Sequence, residues 1–200
     1  MDQNISGVIL AGGTNRRFHG ITKANLIING KSIISRIVDT FSNIFDEIII
    51  VTNTPEEFSF LSNLIIVNDL LSEAGPLGGI HAALKASSKD AVFVVGGDMP
   101  LIDKGLITNQ IDFYNSGKYD IVVPRVNDLI EPLHSIYNST LVNTLEEYLK
   151  SGRDYAVRDF FGMVNVCYMP LELTELTKNA FININSSSDI LYVGKILGKE

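Results

Sequence analysis

Short apolar runs alternate with longer segments of helical period along most of the chain. Six runs predict strands, namely Gly7–Leu10, Glu47–Val51, Leu64–Val67, Ala91–Val95, Ile121–Val123 and Val164–Tyr168. Between the first two, apolar residues recur at helical spacing from Lys31 to Phe45, which predicts a helix with a wide buried face. This alternation is typical of the α/β class, and we expect a doubly wound, mostly parallel sheet with helices on both faces.

Local signals predict further elements between and after these strands. Capping residues and helical period predict three more helices, from Asp103 to Tyr114, from Ser139 or Thr140 to near Gly152, and over Ile80–Ala86. Near the C-terminus, Asn183 and Asn185 alternate with Ile182 and Ile184. In an extended segment, both amide side chains would point to the same side. They would then form either the polar outer face of an edge strand or part of a ligand site.

Length and composition favour a single globular unit. The chain has 200 residues, of which 46% are apolar, and no repeat or proline-rich linker interrupts it, so we expect one domain spanning residues 1–200. The formal net charge is −7, the sequence pI is about 4.9, and no long basic run occurs. Binding to nucleic acid or to an anionic membrane surface is therefore not expected.

Cysteine usage and the N-terminal sequence bear on the compartment. Cys167 is the only cysteine, which excludes an intrachain disulfide and argues against a structural zinc site. The first residues lack the basic start and apolar core of a secretion signal, and no apolar run reaches the ~20 residues that span a bilayer. We therefore expect a reduced, cytoplasmic protein.

The first predicted strand runs directly into glycines and basic residues. After Leu10 the chain reads Ala11-Gly12-Gly13-Thr14-Asn15-Arg16-Arg17-Phe18-His19-Gly20-Ile21-Thr22-Lys23. Glycines let backbone N–H groups approach a ligand, and cations beyond them can neutralise phosphate oxygens. The spacing fits neither the Walker loop nor the dinucleotide-binding fingerprint. The segment instead predicts a phosphate cradle, with Lys23 on a triphosphate.

Chemistry-bearing residues follow three of the predicted strands. The glycine-rich loop follows Leu10, Asp69 follows Val67, and Asp98 follows Val95. In open α/β sheets, ligands bind beyond the carboxyl ends of the strands, so these segments are expected to meet in one crevice. Magnesium needs only one or two protein carboxylates beside substrate phosphates, and Asp98 is the candidate ligand. Gly75-Pro76-Leu77-Gly78-Gly79 is predicted to be a loop before Ile80–Ala86 that permits close approach of a ring or phosphate.

These segments together resemble the molybdenum cofactor guanylyltransferases, a family of the nucleotidyltransferase superfamily. The resemblance is carried, in chain order, by Leu10-Ala11-Gly12-Gly13, Arg17-Phe18 with Gly20 and Lys23, Gly75-Pro76-Leu77 with Gly79, Gly97-Asp98-Met99-Pro100, Glu131-Pro132-Leu133, and Phe181-Ile182-Asn183-Ile184-Asn185. It implies a Rossmann-like fold and an Mg²⁺-dependent transfer of GMP from GTP to molybdopterin or molybdenum cofactor, with release of pyrophosphate. Similar enzymes that use CTP tend to show Leu-Ala-Ala-Gly in the first loop and lack the Gly-Pro-Leu element, so guanine is favoured.

The resemblance also implies roles for individual residues. It implies a catalytic role for Lys23, Asp98 and Arg17, with Asp98 as the metal ligand. The nucleotide site that it implies consists of Leu10, Ala11, Gly12, Gly13, Lys23, Asp69 and Asp98. Glu131 and the Arg153 region are expected on the acceptor side. Asn183 and Asn185 suit the pterin or acceptor phosphate, or the second face of the metal. Transient contact with molybdenum-insertion or cofactor-accepting proteins is expected as well.

Three departures from the family pattern bear on the acceptor. Thr22 stands where the family usually has Asp, His19 replaces a glycine, and Ser186-Ser187-Ser188-Asp189 replaces Thr-Pro-Glu-Asp. The first and last of these segments border the expected acceptor site. Two alternatives stay open at this point. One is a cytidylyltransferase or other nucleotidyltransferase that acts on a pterin, or on a sugar or polyol phosphate, and the other is a nucleotide-binding protein without catalytic activity.

Overall fold

The computed structural model describes residues 4–12, 17–18, 21–62, 64–69, 71, 74–152 and 155–198, and of residues 17, 18 and 21 it describes the backbone alone. Gly13 and its neighbours Arg16, His19 and Gly20 lie outside the described residues, as does Arg153. The side chain of Arg17 is likewise not described.

The strands follow the predicted apolar runs and add several short elements. They are β1 (Ile5–Leu10), β2 (Arg17–Phe18), β3 (Ile21–Thr22), β4 (Ile27–Ile28), β5 (Lys31–Ser32), β6 (Ile48–Val51), β7 (Ile65–Val67), β8 (Ala91–Gly96), β9 (Ile121–Val126), β10 (Leu129–Ile130), β11 (His134–Asn138) and β12 (Val166–Leu171). The helices are α1 (Ile33–Phe41), α2 (Gly75–Ala86), α3 (Lys104–Asn115), α4 (Leu141–Lys150), α5 (Val157–Phe161), α6 (Glu175–Ala180) and α7 (Ser187–Leu197). Short 3₁₀ helices cover Lys23–Asn25 and Pro55–Phe58.

Within the described residues, eight strands form one sheet in the order β10-β9-β11-β8-β1-β6-β7, with β12 paired to β9. The central strand β1 runs parallel to both β6 and β8. Strand β7 pairs in parallel with β6, and β12 pairs in parallel with β9. Strand β11 lies antiparallel between β8 and β9. The prediction of a mostly parallel sheet is confirmed, and the carboxyl ends of β1, β6, β7 and β8 share one edge.

Helices cover both faces of the sheet, as predicted. Side chains alternate along β1, so that Ile9 packs into one apolar cluster with α1, α3 and α7, while Val8 and Leu10 pack into the other with α2, α4 and α5. Central strands that are buried on both faces consist of continuous apolar runs, so they are easily recognised in the sequence. None of the helices in the described ranges is both long and apolar enough to traverse a bilayer.

Helix ends agree with the capping predictions at some places and not at others. Asp103 caps α3, where its side chain accepts a hydrogen bond of 2.8 Å from the Leu106 N–H. The helix predicted from Lys31 to Phe45 is shorter, because β5 takes Lys31–Ser32 and Ser32 caps α1. Ile44 and Phe45 nevertheless remain buried in the same core beyond the helix end.

Two predictions on the site side of the fold are wrong. The segment Gly75–Gly79 is not a loop, because α2 begins at Gly75. Pro76 is tolerated there because the first turn of a helix leaves its N–H groups unpaired in any case. The residues Phe181–Asn185 lie outside the strands, in an irregular connection between α6 and α7. This connection reaches the sheet edge through its backbone rather than by strand pairing.

Candidate functional site

Strands β1 and β8 bring the first loop against the residues that follow β8. The Gly97 N–H donates a hydrogen bond of 2.9 Å to the Leu10 carbonyl. A Cβ atom on Gly97 would lie 3.0 Å from that oxygen and 3.2 Å from both Ala11 Cα and Ala24 Cβ. Such distances are tighter than ordinary contacts, so the close approach of the two loops requires glycine at this position. Asp98 is thereby held beside the loop that follows β1.

Lys23 and Asp98 form a buried ion pair at this edge. The Lys23 Nζ lies 3.4 Å from Asp98 Oδ2 and 2.7 Å from Asn185 Oδ1. The two charged side chains retain only 12% and 11% of their exposure. Lys23, Asp98 and Asn185 therefore form one centre, in which a fixed positive charge sits between two oxygen atoms. We call these three residues the lysine–aspartate centre.

The connection between α6 and α7 supplies the third member of this centre. Its Ile184 N–H donates a hydrogen bond of 2.9 Å to the Asp98 carbonyl, and the Ile184 side chain is fully buried. The Asn183 side chain donates a hydrogen bond of 3.2 Å to the Phe181 carbonyl and also stabilises the Glu131 carboxylate, while Asn185 accepts a hydrogen bond from Lys23. The two amides thus reach the site as the sequence suggested, but they contact different partners. The buried isoleucine between them anchors the segment.

Glu131 adds a second, partly buried carboxyl group close to the centre. Burial raises the pKa of the Glu131 carboxyl, and the charge of Asp98 raises that pKa further. Hydrogen bonds from the Leu133 N–H, at 3.2 Å, and from Asn183 act in the opposite direction. The centre is therefore flanked by a carboxyl group whose charged form is disfavoured, mainly by its burial and to a lesser extent by repulsion from the Asp98 carboxylate.

Asp69 follows the end of β7, which lies on the opposite side of β1 from β8 in the sheet. Its Oδ1 accepts a hydrogen bond of 3.0 Å from the Leu71 N–H. A Cβ atom on Gly78 would lie 2.8 Å from the same oxygen, so glycine at this position lets the first turns of α2 pass close to the carboxylate. Burial raises the pKa of Asp69, whereas the nearby His81 lowers it. Asp69 thus borders the N-terminal turns of α2 rather than the lysine–aspartate centre.

The loop after β1 continues the same edge. Leu10, Ala11, Thr22, Lys23 and Asp98 line one small cavity together with Ala24 and Gly97. The Ala11 N–H donates to the Val51 carbonyl at 2.8 Å, which ties the loop to the end of β6. At Gly12 a Cβ atom would meet its nearest neighbours at 3.6 Å or more, so the surrounding backbone does not require glycine there. A ligand that approaches Gly12 closely would supply such a requirement.

Sequence reasoning missed one contact within this loop. The Thr52 side chain is fully buried, and its hydroxyl oxygen lies 3.5 Å from the Ala11 carbonyl oxygen. Threonine directly after an apolar strand is common, and no spacing signal distinguishes Thr52 from an ordinary strand end. Among the described residues no cluster of three or more histidine, cysteine or acidic side chains could hold a metal by itself.

Comparisons with known proteins extend this picture to the whole chain. A family model described as the MobA-like NTP transferase domain matches residues 7–164. The chain is 34% identical to a probable molybdenum cofactor guanylyltransferase of Natranaerobius thermophilus over 100% of its length and 99% of the relative. It is 38% identical to the corresponding protein of Thermococcus gammatolerans over 92% of its length and 96% of that relative.

Solved structures share the fold at lower identity. The structure of molybdopterin-guanine dinucleotide biosynthesis protein A from Archaeoglobus fulgidus superposes with a TM-score of 0.81 at 24% identity, over 98% of this chain and 100% of that one. A protein of Aquifex aeolicus superposes with a TM-score of 0.74 at 26% identity, over 92% of this chain and 95% of that one. The sheet order and the helical layers described above are therefore those of a known fold.

Proposed function

The chain belongs to the MobA-like NTP transferase domain family, and from this premise we propose that it transfers GMP from GTP to molybdopterin or molybdenum cofactor. The products are the guanine dinucleotide form of the cofactor and pyrophosphate. A phosphate oxygen of the acceptor forms a bond to the α-phosphorus of GTP. The bond from that phosphorus to the bridging oxygen of the β-phosphate breaks, and pyrophosphate carries the electron pair away.

The lysine–aspartate centre is the observation that carries this proposal. Two polyanions must meet in line for nucleotidyl transfer, so their mutual repulsion is the main obstacle. The Lys23 ammonium sits at the carboxyl edge of the sheet, between the loop after β1 and the turn after β8. A unit charge about 4 Å from a phosphate is worth ~4 kcal/mol at an effective dielectric near 20. Lys23 is thus suited to neutralise the phosphates as they approach each other.

The donor set of the centre also suits a magnesium ion. Asp98 and Asn185 direct oxygen atoms at one cation, the Lys23 ammonium, and oxygen is the ligand type that Mg²⁺ prefers. We propose that these two side chains hold Mg²⁺ when GTP is bound. Bound Mg²⁺ would withdraw charge from the phosphates and align them. Lys23 is then free to contact the triphosphate.

The nucleotide is proposed to lie between β1 and β7. The loop after β1 offers the backbone N–H group of Gly12, because the Ala11 N–H is already bonded to the Val51 carbonyl. The proposed nucleotide site also includes Leu10, Ala11 and Gly13. Asp69 and the N-terminal turns of α2 form the far side, where a carboxylate can accept hydrogen bonds from a ribose or from a guanine edge. Arg17 joins Lys23 as a proposed phosphate contact. The Ala11-Gly12-Gly13 and Gly75-Pro76-Leu77 motifs favour GTP over CTP.

The substrates proposed here agree with the charge of the chain. A net charge of −7 disfavours binding to nucleic acid, and we propose that the partners are small molecules. We propose that the reaction takes place in the cytoplasm, where the donor GTP is available. Transient contact with proteins that insert molybdenum or accept the finished cofactor remains part of the proposal.

Calorimetric titration of the purified protein with GTP, CTP, ATP and UTP, each with and without Mg²⁺, tests the donor side. We expect GTP to bind at least tenfold more tightly than the other three, with a further gain when Mg²⁺ is present. Tighter binding of CTP or UTP would instead favour a cytidylyltransferase or a transferase that acts on a sugar phosphate. Equal binding of all four nucleotides would contradict the assignment of Asp69 and α2 to base recognition.

A further inference from the structure

A largely apolar cleft opens on the acceptor side of the sheet. It measures about 260 Å³ and lies between the β9–β10 hairpin and the segment around α6. Val126, Leu129 and Ile130 line one wall, and Leu173 and Phe181 line the other. Leu129 and Leu173 are 75% and 64% exposed. Two exposed leucines facing one cleft leave an apolar surface that a ligand could cover.

The cleft is linked to the lysine–aspartate centre through the connection between α6 and α7. Glu131 and Phe181 line the cleft, and the Phe181 carbonyl accepts a hydrogen bond of 3.2 Å from the Asn183 side chain. The next residue, Ile184, donates its N–H to the Asp98 carbonyl. A ligand in the cleft is therefore separated from the reacting phosphates by only a few residues, and it lies across β8 from the proposed nucleotide site at β7 and α2.

Two charged residues accompany the apolar walls, together with Thr177, whose hydroxyl donates to the Glu172 carbonyl at 2.8 Å. Lys178 lines the cleft and forms no ion pair with any residue that the structure describes. Glu131 contributes the carboxyl group, which can accept hydrogen bonds. Apolar walls with one cation and one hydrogen-bond acceptor suit a flat, fused heteroaromatic ring with ring N–H groups and an anionic substituent. They suit a sugar or a polyol poorly, because hydroxyl groups against leucine would lose their hydrogen bonds.

We propose that this cleft holds the pterin of the acceptor, with Leu129 and Leu173 on the ring faces and Lys178 near an anionic group. This inference rests on the proposed function, because it takes the acceptor to be a pterin phosphate. It assigns acceptor selection to the β9–β10 hairpin and to the segment around α6. The departures from the family pattern at Thr22 and Ser186 to Ser188 lie outside the cleft lining.

A second cleft on the opposite face of the hairpin provides the comparison. It is lined by Arg125, Asp128, Ile130, Arg158 and Tyr168, and the Arg125 guanidinium lies 5.9 Å from the centre of the Tyr168 ring. It belongs to the α5 side of the sheet, away from Glu131 and Asn183. Its two arginines would favour an anion over a ring, so we assign the pterin to the apolar cleft instead.

Two matched leucine substitutions test the assignment. Leu173→Asp places a charge in the apolar cleft, whereas Leu176→Asp places one in a separate groove beside α1 and α7. Both leucines are exposed, at 64% and 50%, so both variants are expected to fold. With metal-free molybdopterin as acceptor, under anaerobic conditions, we expect Leu173→Asp and Lys178→Glu each to raise the KM for molybdopterin at least tenfold. Leu176→Asp and Arg158→Ala are expected to leave it within twofold, and GTP binding by calorimetry is expected to stay within twofold in all four variants.

The outcomes separate this inference from the proposed function. If the wild-type protein transfers GMP to molybdopterin but the KM is unchanged in Leu173→Asp and Lys178→Glu, the cleft assignment is overturned and the function stands. If Arg158→Ala alone raises the KM, the second cleft holds the pterin and the assignment is again overturned. If the wild-type protein binds GTP but transfers GMP only to a sugar phosphate, both the function and the inference fail.

Discussion

Replacing Asp98 by asparagine is expected to reduce the turnover number about a thousandfold. The substitution keeps the shape of the side chain but removes the carboxylate that lies 3.4 Å from the Lys23 ammonium. A metal ion that neutralises transferring phosphates contributes several kcal/mol, and a loss of ~4 kcal/mol corresponds to about a thousandfold in rate. Steady-state rates of pyrophosphate release at saturating GTP and molybdopterin measure the effect.

Asp103→Asn is the matched control for this prediction. Asp103 follows the same strand and caps α3, and asparagine caps helices about as well as aspartate. We expect its turnover number to remain within twofold of the wild-type value. Mg²⁺-dependent turnover of Asp98→Asn within threefold of wild type would show that Asp98 is not the metal ligand.

Replacing Lys23 by methionine is expected to have two opposite effects. The catalytic efficiency with GTP should fall at least thirtyfold, because half of the ~4 kcal/mol from a charge near the phosphates corresponds to about that factor. In the absence of nucleotide, however, the affinity for a divalent cation should rise about tenfold. The ammonium lies 2.7 Å from Asn185 Oδ1 and 3.4 Å from Asp98 Oδ2, so a cation that uses these oxygens must displace it.

Lys89→Met is the control for the lysine substitution. Lys89 pairs with Asp46 at 3.1 Å, before the starts of β8 and β6 and hence at the opposite edge of the sheet. Titration with Mn²⁺, followed by its paramagnetic resonance signal, reports cation affinity without requiring activity. We expect Lys89→Met to match the wild-type protein in both measurements. Weaker Mn²⁺ binding by Lys23→Met would show that the lysine supports the cation site rather than competing for it.

Much of the sheet was predictable because its central strands are buried on both faces. Such strands lack polar interruptions, so Ala91–Val95 and Glu47–Val51 stand out from their flanks. Strand β11 gives no comparable signal, since His134 and Ser135 are polar yet fully buried. The Gln110 side chain donates a hydrogen bond to the His134 carbonyl at 3.0 Å and lies 3.2 Å from the His134 ring nitrogen. Such partners come from a distant helix and cannot be read from a local pattern.

The start of α2 shows a similar limit on local reasoning. Gly75, Gly78 and Gly79 argue for a loop on propensity alone, because glycine disfavours helix interiors. Tertiary packing overrides that preference here. A Cβ atom on Gly78 would lie 2.5 Å from the Leu71 carbonyl, and one on Gly79 would lie 3.1 Å from a Leu10 methyl group. Close approach to the Leu71 carbonyl thus requires glycine at Gly78, and the Leu10 side chain packs tightly on Gly79. At Gly75 no such contact occurs, and glycine suits the positive φ of 57° instead.

The candidate site was predictable where it depends on strand ends. Lys23 and Asp98 were expected in one crevice, and the structure places them in contact. The role of Asn185 was less clear from the sequence, because its alternation with isoleucine suggested a strand. A capping box at Ser186, in which Asp189 accepts hydrogen bonds from the Ser186 and Asn185 N–H groups, ends the irregular segment and fixes Asn185 beside Lys23. Residues Ser186 to Asp189 differ from the family pattern in sequence, but they still cap and start helix α7.

The most direct test of the central claim is the transfer reaction itself. The purified protein is incubated anaerobically with molybdopterin, Mg²⁺ and equal concentrations of GTP and CTP, and the dinucleotide products are separated and quantified together with pyrophosphate. We predict one equivalent of pyrophosphate for each guanine dinucleotide formed, and at least tenfold less cytosine dinucleotide. Predominant formation of the cytosine product, or no dinucleotide from molybdopterin while a sugar phosphate is readily guanylylated, would contradict the account.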